Sequence, residues 1–314
     1  MQIFSRVEDF NTMANADEGT AIAIGKFDGV HLGHKKLIDE ITSQREKDLK
    51  PLIVTFESPV MDFFTGEHSK VLSTNDEKTA LFEELGIEYI YMMPVNKENL
   101  SCDPEVFVRK VLCEGLHARH IAAGDDLSFG DKGAGNMALL NELSGELGFE
   151  TVCIEDVLYN GEDISSTLIR QAVSEGDMES ASAMLGGYYS ISGVVAHGNR
   201  IGRTIDMPTI NIIPDEEKLM PPNGVYLSEV TMGDKLMYGI TNIGVKPTVS
   251  DTGKITAETY IYDFDDNVYG KKAIIALRHF MRPEIKFENL EMLKKQLHND
   301  RVNGVSLLRT EVKI

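Results

Sequence analysis

The sequence predicts an α/β protein in two parts: an N-terminal doubly wound parallel-sheet domain, then a C-terminal antiparallel β-barrel domain with a C-terminal helix. In the first half, short apolar runs alternate with amphipathic helical patterns, which is typical of strands joined by helical crossovers. Alternating β-rich runs separated by turn residues follow in the second half. A length of 314 residues also favours more than one core. We therefore expect domains over residues 1–186 and 187–314.

Each element of the first half has local support. Its helical segments carry start signals: Ser73 or Thr74 is a candidate cap for one helix, and Asp103 followed by Pro104 begins another. Residues 165–187 predict two short helices that end at a glycine pair. The apolar runs that predict parallel strands are TAIAIG (20–25), PLIVTF (51–56), EYIYMMPV (88–95), HIAAG (120–124) and FETVCIEDV (149–157).

The second half is dominated by strands that turn back on one another. Residues 232–235 predict a two-residue hairpin with glycine first, and residues 265–267 predict another tight connection. Near the end of the chain, Leu290, Leu293 and Leu297 have helical spacing, so we expect a helix that packs across the barrel. The β-rich runs are YYSISGVVAHG (188–198), TINII (209–213), GVYLSEVTMGDKLMYGITNIG (224–244) and ETYIYDFDDNVYGKKAIIALRHF (258–280).

The composition argues against two classes of partner. The net charge is −19, whereas nucleic acids and membrane surfaces attract basic patches, so we expect neither as a partner. The three cysteines, Cys102, Cys113 and Cys153, show no paired spacing and favour free thiols in a reducing compartment. The N-terminus lacks signal-peptide features and no apolar run has transmembrane length. These observations predict a cytoplasmic protein.

Two histidines three positions apart, His31 and His34, follow the first of these predicted strands where a helix begins. Ligands of an open parallel sheet bind beyond the carboxyl ends of its strands, and a helix N-terminus there offers N–H groups to a phosphate. Gly25, Gly29 and Gly33 let the backbone approach such a ligand closely. Two imidazoles at this turn can stabilise charge on phosphate oxygens. The pattern predicts a phosphoryl- or nucleotidyl-transfer site.

Other interpretations of this turn are weaker. A lone histidine is more often a helix cap or a surface residue, but a His-x-Gly-His turn at this place in an α/β domain favours function. A metal site lacks an obvious third ligand. The sequence contains no G-x-x-x-x-G-K-[ST] loop, so the ordinary ATP-binding loop is absent.

Two segments of the first half resemble the nucleotidyltransferase signatures of bacterial bifunctional riboflavin kinase/FAD synthetases. They are AIGKFDGVHLGHKKLI (23–38) and ISSTLIR (164–170), which occur in the order that the family has. Taken alone, the second would be an ordinary helix cap. The resemblance implies that His31 and His34 are catalytic and that nucleotide or phosphate is bound by Gly25, Phe27, Asp28, Gly29, Gly33, Ser165, Ser166, Thr167 and Arg170.

The second half resembles the riboflavin kinase part of the same family. The segment GVVAHGNRIGRTIDMPTINI (193–212) is similar to the kinase signature, and four later segments follow in the family's order. Alone, a glutamate on a strand is more often a solvated charge than a base, and a Gly-Arg pair is often only a loop. The resemblance implies phosphate binding by Gly202 and Arg203, Mg²⁺ binding by Thr209 and Asn211, general-base catalysis by Glu258 and flavin binding by Arg282.

Four of the positions that depart from the family pattern bear on whether both activities are retained. Leu168 stands where the family usually has arginine, and Ser128 stands where a basic residue is common. In the kinase signature, Asp206 replaces a usual glycine and Ile210 a usual alanine. An aspartate close to ATP phosphates is electrostatically unfavourable unless it turns away or joins the metal's ligands. These departures leave open whether both activities are retained.

The resemblance implies two successive reactions that use ATP and Mg²⁺. Riboflavin is phosphorylated to FMN in the barrel, and FMN is adenylylated to FAD in the α/β domain. Three alternatives remain at this point: one activity alone, a nucleotidyltransferase for another acceptor, or a non-catalytic flavin sensor.

Overall fold

The computed structural model describes residues 1–14, 19–196, 207–246 and 254–311. The chain divides into two units, Met1–Ser166 and Thr167–Ile314. The division falls before the two short helices that the sequence predicts, so these helices belong mainly to the second unit. The functional boundary expected at 186/187 stays a prediction.

The first unit contains a six-stranded parallel sheet, as the alternating pattern predicts. Its strands are β1 (Gln2–Phe4), β2 (Thr20–Ile24), β3 (Lys50–Phe56), β4 (Tyr89–Met93), β5 (Ala118–Gly124) and β6 (Glu150–Ile154). Their order is β1-β4-β3-β2-β5-β6, and all the pairings are parallel. Strand β1 is an edge strand that the sequence reading missed. A small antiparallel hairpin, β7 (Leu158–Tyr159) with β8 (Glu162–Asp163), follows the sheet.

Helices connect these strands, and the predicted caps are present. Thr74 caps its helix in a capping box with Glu77, and Asp103 accepts hydrogen bonds from two backbone N–H groups while Pro104 begins the helix. The segment Phe107–Gly115 then continues as a π-helix rather than the expected α-helix. The helices are α1 (Val7–Met13), α2 (Leu32–Ser43), α3 (Val60–Thr65), α4 (Asn75–Glu84), α5 (Lys97–Leu100), α6 (Pro104–Val106) and α7 (Met137–Leu147), with 3₁₀ turns at Gln44–Lys47 and Asp131–Gly133.

Two apolar layers cover the two faces of this sheet. Side chains alternate along each strand, so Ile22 and Leu52 pack in one cluster while Ala23 and Ile53 pack in the other. All four are fully buried. A parallel sheet whose two faces are both covered by helices is the doubly wound architecture that the sequence predicts, and it leaves the carboxyl ends of the strands as the accessible edge.

The second unit begins with α8 (Ser166–Glu175) and α9 (Met178–Leu185), although Ser166 itself closes the first unit. Six antiparallel strands follow, in the order β10-β13-β12-β11-β14-β9. Just beyond β9, the N–H of Ala196 donates to the carbonyl of Asn211 on β10, so a bridge joins the two edge strands of the sheet. The strands are β9 (Tyr189–Val194), β10 (Thr209–Ile212), β11 (Gly224–Met232), β12 (Lys235–Lys246), β13 (Lys254–Ile261) and β14 (Lys272–Pro283).

Turns and the last helix in this unit partly follow the predictions. Met232 pairs with Lys235 across a two-residue loop in which Gly233 has a φ of +57°, as the sequence predicts. The predicted tight connection at 265–267 is instead part of the longer stretch between β13 and β14. Helix α10 (Leu290–Glu311) packs against β12, with Leu293 and Leu297 half-buried and Leu290 exposed. Within the described ranges, no helix is both long and apolar enough to cross a membrane.

Candidate active sites

The histidine turn lies at the point where the order of the parallel sheet reverses. Strand β2 has β3 on one side and β5 on the other, so consecutive crossovers leave a crevice beyond the carboxyl ends of β2 and β5. The turn connects β2 to α2, which begins at Leu32 with His31 as its N-terminal flanking residue. The sequence predicted this strand–turn–helix arrangement for His31 and His34.

The backbone of the turn adopts uncommon conformations. Phe27, Gly29 and Val30 have φ values of +52°, +86° and +34°. Such values suit glycine but strain a β-branched residue such as Val30. Phe27 and Val30 are nonetheless fully buried, which holds the turn in this conformation. Strained backbone of this kind concentrates at functional sites, because the surrounding structure must hold it there.

The two imidazoles lie face to face. The ring centroids of His31 and His34 are 3.8 Å apart and the ring planes differ by 24°. On its other side, His34 contacts the ring of Phe27 at 4.8 Å. A Cβ atom at Gly33 would lie 3.2 Å from two atoms of the His31 ring, so the glycine leaves the room that this ring occupies. A side chain at position 33 would therefore require the His31 ring to move by a few tenths of an ångström.

Both imidazoles are held neutral at pH 7. Burial lowers the pKa of His31 to about 4, although Asp126 and Asp28 act to raise it. Burial also lowers the pKa of His34 well below its ordinary value, and the positive charges that His31 and Lys78 can carry lower it further. His34 is half-buried as a residue, but its Nδ1 is shielded from solvent. Among the described residues, neither Nδ1 atom has a hydrogen-bond partner.

Asp28 connects three segments that are distant in sequence. One of its carboxylate oxygens accepts hydrogen bonds from the N–H groups of Leu72 and Ser73, at 2.8 and 3.2 Å. Its backbone carbonyl accepts a hydrogen bond from the Ser166 hydroxyl at 2.8 Å. The structure thus brings the histidine turn together with the first part of the Ile-Ser-Ser-Thr motif and with the segment that leads into α4.

Two residues near the histidines were missed by sequence reasoning. Asp126 follows β5 and is close enough to act on the protonation of His31, and Lys78 is a buried lysine of α4 that acts on His34. The position of Asp126 was foreseeable, because it follows a predicted strand whose carboxyl end lies at the same sheet edge. The sequence holds only a weak signal that Lys78 is buried: it lies four residues before the apolar Phe82 on the same helix.

The other residues predicted to bind nucleotide lie on different elements of the structure. A Cβ at Gly25 would lie 3.2 Å from the Phe27 ring, so Gly25 makes room for that side chain. Ser165 is half-buried and immediately precedes α8. Thr167 and Arg170 follow in α8, beyond the end of the first unit. Of the departures from the family pattern, Ser128 is exposed and Leu168 lies in α8.

In the second unit, three strands bring the proposed kinase residues into one row. Glu258 on β13 is opposite Asn211 on β10 and opposite Asn242 on β12. Thr209 and Asn211 are two positions apart on β10 and therefore share a face of the strand. Asn211 is 7% exposed and Glu258 is partly exposed. The carboxylate and the two residues proposed to bind Mg²⁺ are thus neighbours.

A cavity of about 430 Å³ opens beside this row. Thr209 and Thr259 are among its polar lining residues, and the Thr259 hydroxyl is linked to those of Thr241 and Ser228 through hydrogen bonds of 2.8 and 2.7 Å. The connection between β13 and β14 supplies half of the lining. The other lining residues are Val195, Pro208, Ile210, Ile261, Phe264, Asp265, Asp266, Asn267, Val268 and Tyr269. This volume is in the usual range for a small-molecule site.

Arg282, the residue predicted to bind flavin, forms an ion pair with a residue of the last helix. Its guanidinium donates two hydrogen bonds to the Asp300 carboxylate, at 2.9 and 2.6 Å, and one to the carbonyl of Pro283. Gln296 also donates to Asp300, at 2.8 Å. This pair ties β14 to α10, and a role in flavin binding stays a prediction. The predicted residues Gly202 and Arg203, and the departure at Asp206, lie outside the described residues.

Comparisons with known proteins identify the same two halves. A family model described as FAD synthetase matches residues 13–168, and one described as riboflavin kinase matches residues 185–308. A bifunctional riboflavin kinase/FMN adenylyltransferase of Listeria monocytogenes is 35% identical over 288 residues, which cover 90% of this chain and 91% of the relative. The protein of that name from Escherichia coli is 32% identical over 290 residues, covering 91% and 92%.

A solved structure shows the same fold over nearly the whole chain. It is described as a macrolide-efflux protein from Streptococcus pneumoniae, and it matches with a TM-score of 0.83 over 96% of this chain and 98% of its own. At 24% sequence identity, the likeness bears on the fold alone. It agrees with the arrangement of a parallel-sheet unit followed by an antiparallel one.

Proposed function

This chain belongs to the bifunctional riboflavin kinase/FMN adenylyltransferase family and contains both of its domains, and on that premise we propose how its residues perform the two reactions. The C-terminal unit phosphorylates riboflavin to FMN, and the N-terminal unit adenylylates FMN to FAD. The observation that supports this assignment most strongly is the pair of stacked, neutral imidazoles at the switch point of the parallel sheet. We propose domain limits of 1–186 and 187–314 for the two functions.

In adenylylation, a phosphate oxygen of FMN attacks the α-phosphorus of ATP. The bond from that phosphorus to the bridging oxygen breaks, and pyrophosphate leaves with the negative charge. Each neutral imidazole has one N–H donor, so His31 and His34 can each donate to an oxygen on which charge develops. The glycines of the turn, the hydroxyl of Ser165 and the backbone N–H of Ser166 provide further contacts to phosphate, while the Ser166 hydroxyl donates to the Asp28 carbonyl. Thr167 and Arg170 remain proposed phosphate contacts on the strength of the family resemblance.

In the kinase reaction, the 5′-hydroxyl of the ribityl chain attacks the γ-phosphorus of ATP, and ADP leaves. Glu258 accepts the hydroxyl proton, which makes the oxygen a better nucleophile. The partly exposed position of Glu258, next to Asn211, gives a substrate access to the carboxylate. The cavity beside Thr209 accommodates part of the nucleotide or flavin, because it combines apolar walls with a few polar groups.

Mg²⁺ fits the residues present. Thr209 and Asn211 offer oxygen atoms on one face of β10, and hard oxygen donors are what Mg²⁺ prefers. Within the described ranges there is no cluster of three or more His, Cys, Asp and Glu residues placed to bind a metal ion. A neutral Thr/Asn pair suits an ion whose charge is balanced mainly by ATP phosphates. When bound, the ion would neutralise phosphate charge while the γ-phosphoryl group is transferred to the ribityl oxygen.

We propose only small molecules as substrates: riboflavin, FMN and ATP. The strongly acidic composition supports the absence of nucleic-acid and membrane partners. We place the protein in the cytoplasm, where FMN and FAD would be used, and the free thiols of Cys102, Cys113 and Cys153 are compatible with its reducing conditions. Gly202 and Arg203 remain proposed phosphate contacts, and Arg282 a proposed flavin contact.

The assignment is tested by following flavin products from MgATP with two variants. His31→Ala is expected to form FMN from riboflavin but no FAD, and Glu258→Gln to form FAD from added FMN but no FMN from riboflavin. Glu217→Gln, which changes an exposed carboxylate of the same unit, is the control and should behave as wild type. Unchanged FAD formation by His31→Ala, or unchanged FMN formation by Glu258→Gln, would refute the corresponding site.

A further inference from the structure

One row of side chains crosses five strands of the antiparallel sheet. Its successive partners are Asn211 on β10, Glu258 on β13, Asn242 on β12, Val225 on β11 and Arg282 on β14. Residues directly opposite each other on antiparallel strands present their side chains on the same face. The row therefore continues from the proposed kinase residues to Arg282, and Asn242 is its polar member with no role in the reaction so far.

The order of the row separates the two substrates of the kinase reaction. The proposed Mg²⁺ and ATP contacts, Thr209 and Asn211, lie on β10 at one end, and Glu258 comes next. The attacking and leaving oxygens of a phosphoryl transfer are roughly in line, so the acceptor alcohol approaches from the side away from ADP. Neighbouring strands are about 4.8 Å apart, so the backbone of Asn242 is about 5 Å from that of Glu258 and about 10 Å from that of Asn211. Asn242 thus lies on the acceptor side of the proposed base.

A second carboxylate lies beside Asn242 on this face. Gly244 is two positions along β12 and therefore shares the face of Asn242. A Cβ atom at Gly244 would overlap Oε1 of Glu284 and would lie 3.3 Å from Nδ2 of Asn242. The other carboxylate oxygen of Glu284 accepts a hydrogen bond from the Asn223 amide at 3.4 Å. The missing side chain at Gly244 therefore leaves room for an amide and a carboxylate to lie side by side.

These two groups are accessible, and their chemistry suits a polyol. Asn242 is partly exposed and Glu284 is exposed. A carboxamide both donates and accepts hydrogen bonds and a carboxylate accepts them, while each alcohol group of a polyol can do both. The ribityl chain of riboflavin carries secondary hydroxyls between the flavin ring and the 5′-hydroxyl. A ribityl chain whose 5′-hydroxyl contacts Glu258 brings these secondary hydroxyls towards β12.

We propose that Asn242 and Glu284 bind secondary hydroxyls of the ribityl chain and thereby hold the 5′-hydroxyl at Glu258. This inference rests on the proposed role of Glu258 in riboflavin phosphorylation. It makes the polyol chain, as well as the flavin ring, a determinant of which alcohol is phosphorylated. Sites that hydrogen-bond a substrate hydroxyl reject an analogue that lacks it, because their polar groups are then left unpaired.

The test compares two acceptors in wild type and Asn242→Leu. One is riboflavin, and the other is a flavin with a 5-hydroxypentyl chain, which keeps the terminal alcohol and lacks the secondary hydroxyls. Wild type should favour riboflavin in kcat/KM by roughly tenfold or more. Asn242→Leu should lower kcat/KM for riboflavin about fivefold to tenfold and leave that for the analogue and the KM for ATP nearly unchanged. Asn303→Leu, at an exposed asparagine of α10, is the matched control and should keep the wild-type preference.

A second variant keeps the proposal testable if Asn242→Leu fails to fold. The new methyl group of Gly244→Ala must displace the exposed end of Glu284, so this variant should also lose part of the preference for riboflavin. The proposal is overturned by a wild-type enzyme with equal kcat/KM for the two flavins, or by a folded Asn242→Leu or Gly244→Ala variant with the full preference. Failure of the proposed kinase site is distinct, since Glu258→Gln would then still form FMN.

Discussion

The Ser166 hydroxyl donates a hydrogen bond of 2.8 Å to the backbone carbonyl of Asp28, across 138 positions of sequence. This contact joins the two signatures of the adenylylation half and links the histidine turn to the start of α8. The turn has an unusual backbone, so external contacts of this kind are needed to hold it.

Ser166→Ala removes the hydroxyl and leaves the Asp28 carbonyl without this donor. Loss of one such hydrogen bond costs about 1 kcal/mol, so we expect kcat/KM for FMN adenylylation to fall roughly fivefold to tenfold. The kinase activity should be unchanged, because its proposed residues lie in the other unit. Ser144→Ala is the control, since the Ser144 hydroxyl donates to the carbonyl of Asn141 within α7. Equal FAD synthesis by the two variants would show that the contact has no role in the reaction.

Gly33→Ala separates activity from stability. The new Cβ would lie 3.2 Å from the His31 ring, so the ring must shift by a few tenths of an ångström. Alanine is the better helix former by about 1 kcal/mol, so the thermal midpoint should not fall, while FAD synthesis should drop about tenfold or more. Gly145→Ala, in α7, meets no atom within 4 Å and should retain full activity. Full activity of Gly33→Ala would contradict the steric requirement.

The lowered pKa of His31 links protonation to stability. The imidazole titrates at an ordinary pKa of about 6.5 in the unfolded chain and at about 4 in the folded one, so protons bind the unfolded state first. The free energy of unfolding therefore has its full value above pH 6.5. It falls by up to about 3 kcal/mol as the pH is lowered towards 4. Urea unfolding at several pH values gives the difference in free energy of unfolding between wild type and His31→Gln. A difference that does not change with pH would mean that the folded pKa of His31 is ordinary.

Arg282 and Asp300 provide a test of two possible roles. Asp300 is 2% exposed, so Arg282→Met leaves a buried carboxylate unpaired and should destabilise the second unit by about 3–5 kcal/mol. The double variant Arg282→Met/Asp300→Leu should recover most of that stability. If Arg282 also binds flavin, the recovered protein will still have a raised KM for riboflavin. A double variant with wild-type KM would restrict Arg282 to tying β14 to α10.

Local sequence signals predicted the elements around the sites well. The Asp103–Pro104 helix start, the Thr74 cap and the hairpin at Gly233 depend on side-chain chemistry within a few residues, and all three are present. The parallel and antiparallel sheets also follow the periodicity of the sequence. The sequence did not predict how the two edge strands of the antiparallel sheet come together. The bridge between Ala196 and Asn211 depends on tertiary packing.

The parts of the sites that were missed depend on distant contacts. Lys78 acts on His34 because α4 packs against the turn through Phe82. Helix caps and hydrophobic periodicity predict the helix itself but not what it packs against. The connection at 265–267 resembles a tight turn in sequence, but it belongs to a longer stretch that lines the cavity. The π-helix over Phe107–Gly115 likewise has no local signal that distinguishes it from an α-helix.

The most direct test of two separate active sites is complementation between His31→Ala and Glu258→Gln, with riboflavin and MgATP and separation of the flavins by chromatography. We expect His31→Ala alone to stop at FMN, Glu258→Gln alone to leave riboflavin unchanged, and the mixture to form FAD, because FMN released by one variant is adenylylated by the other. FAD formation from riboflavin by either variant alone, or its absence from the mixture, would contradict two independent sites built around these residues.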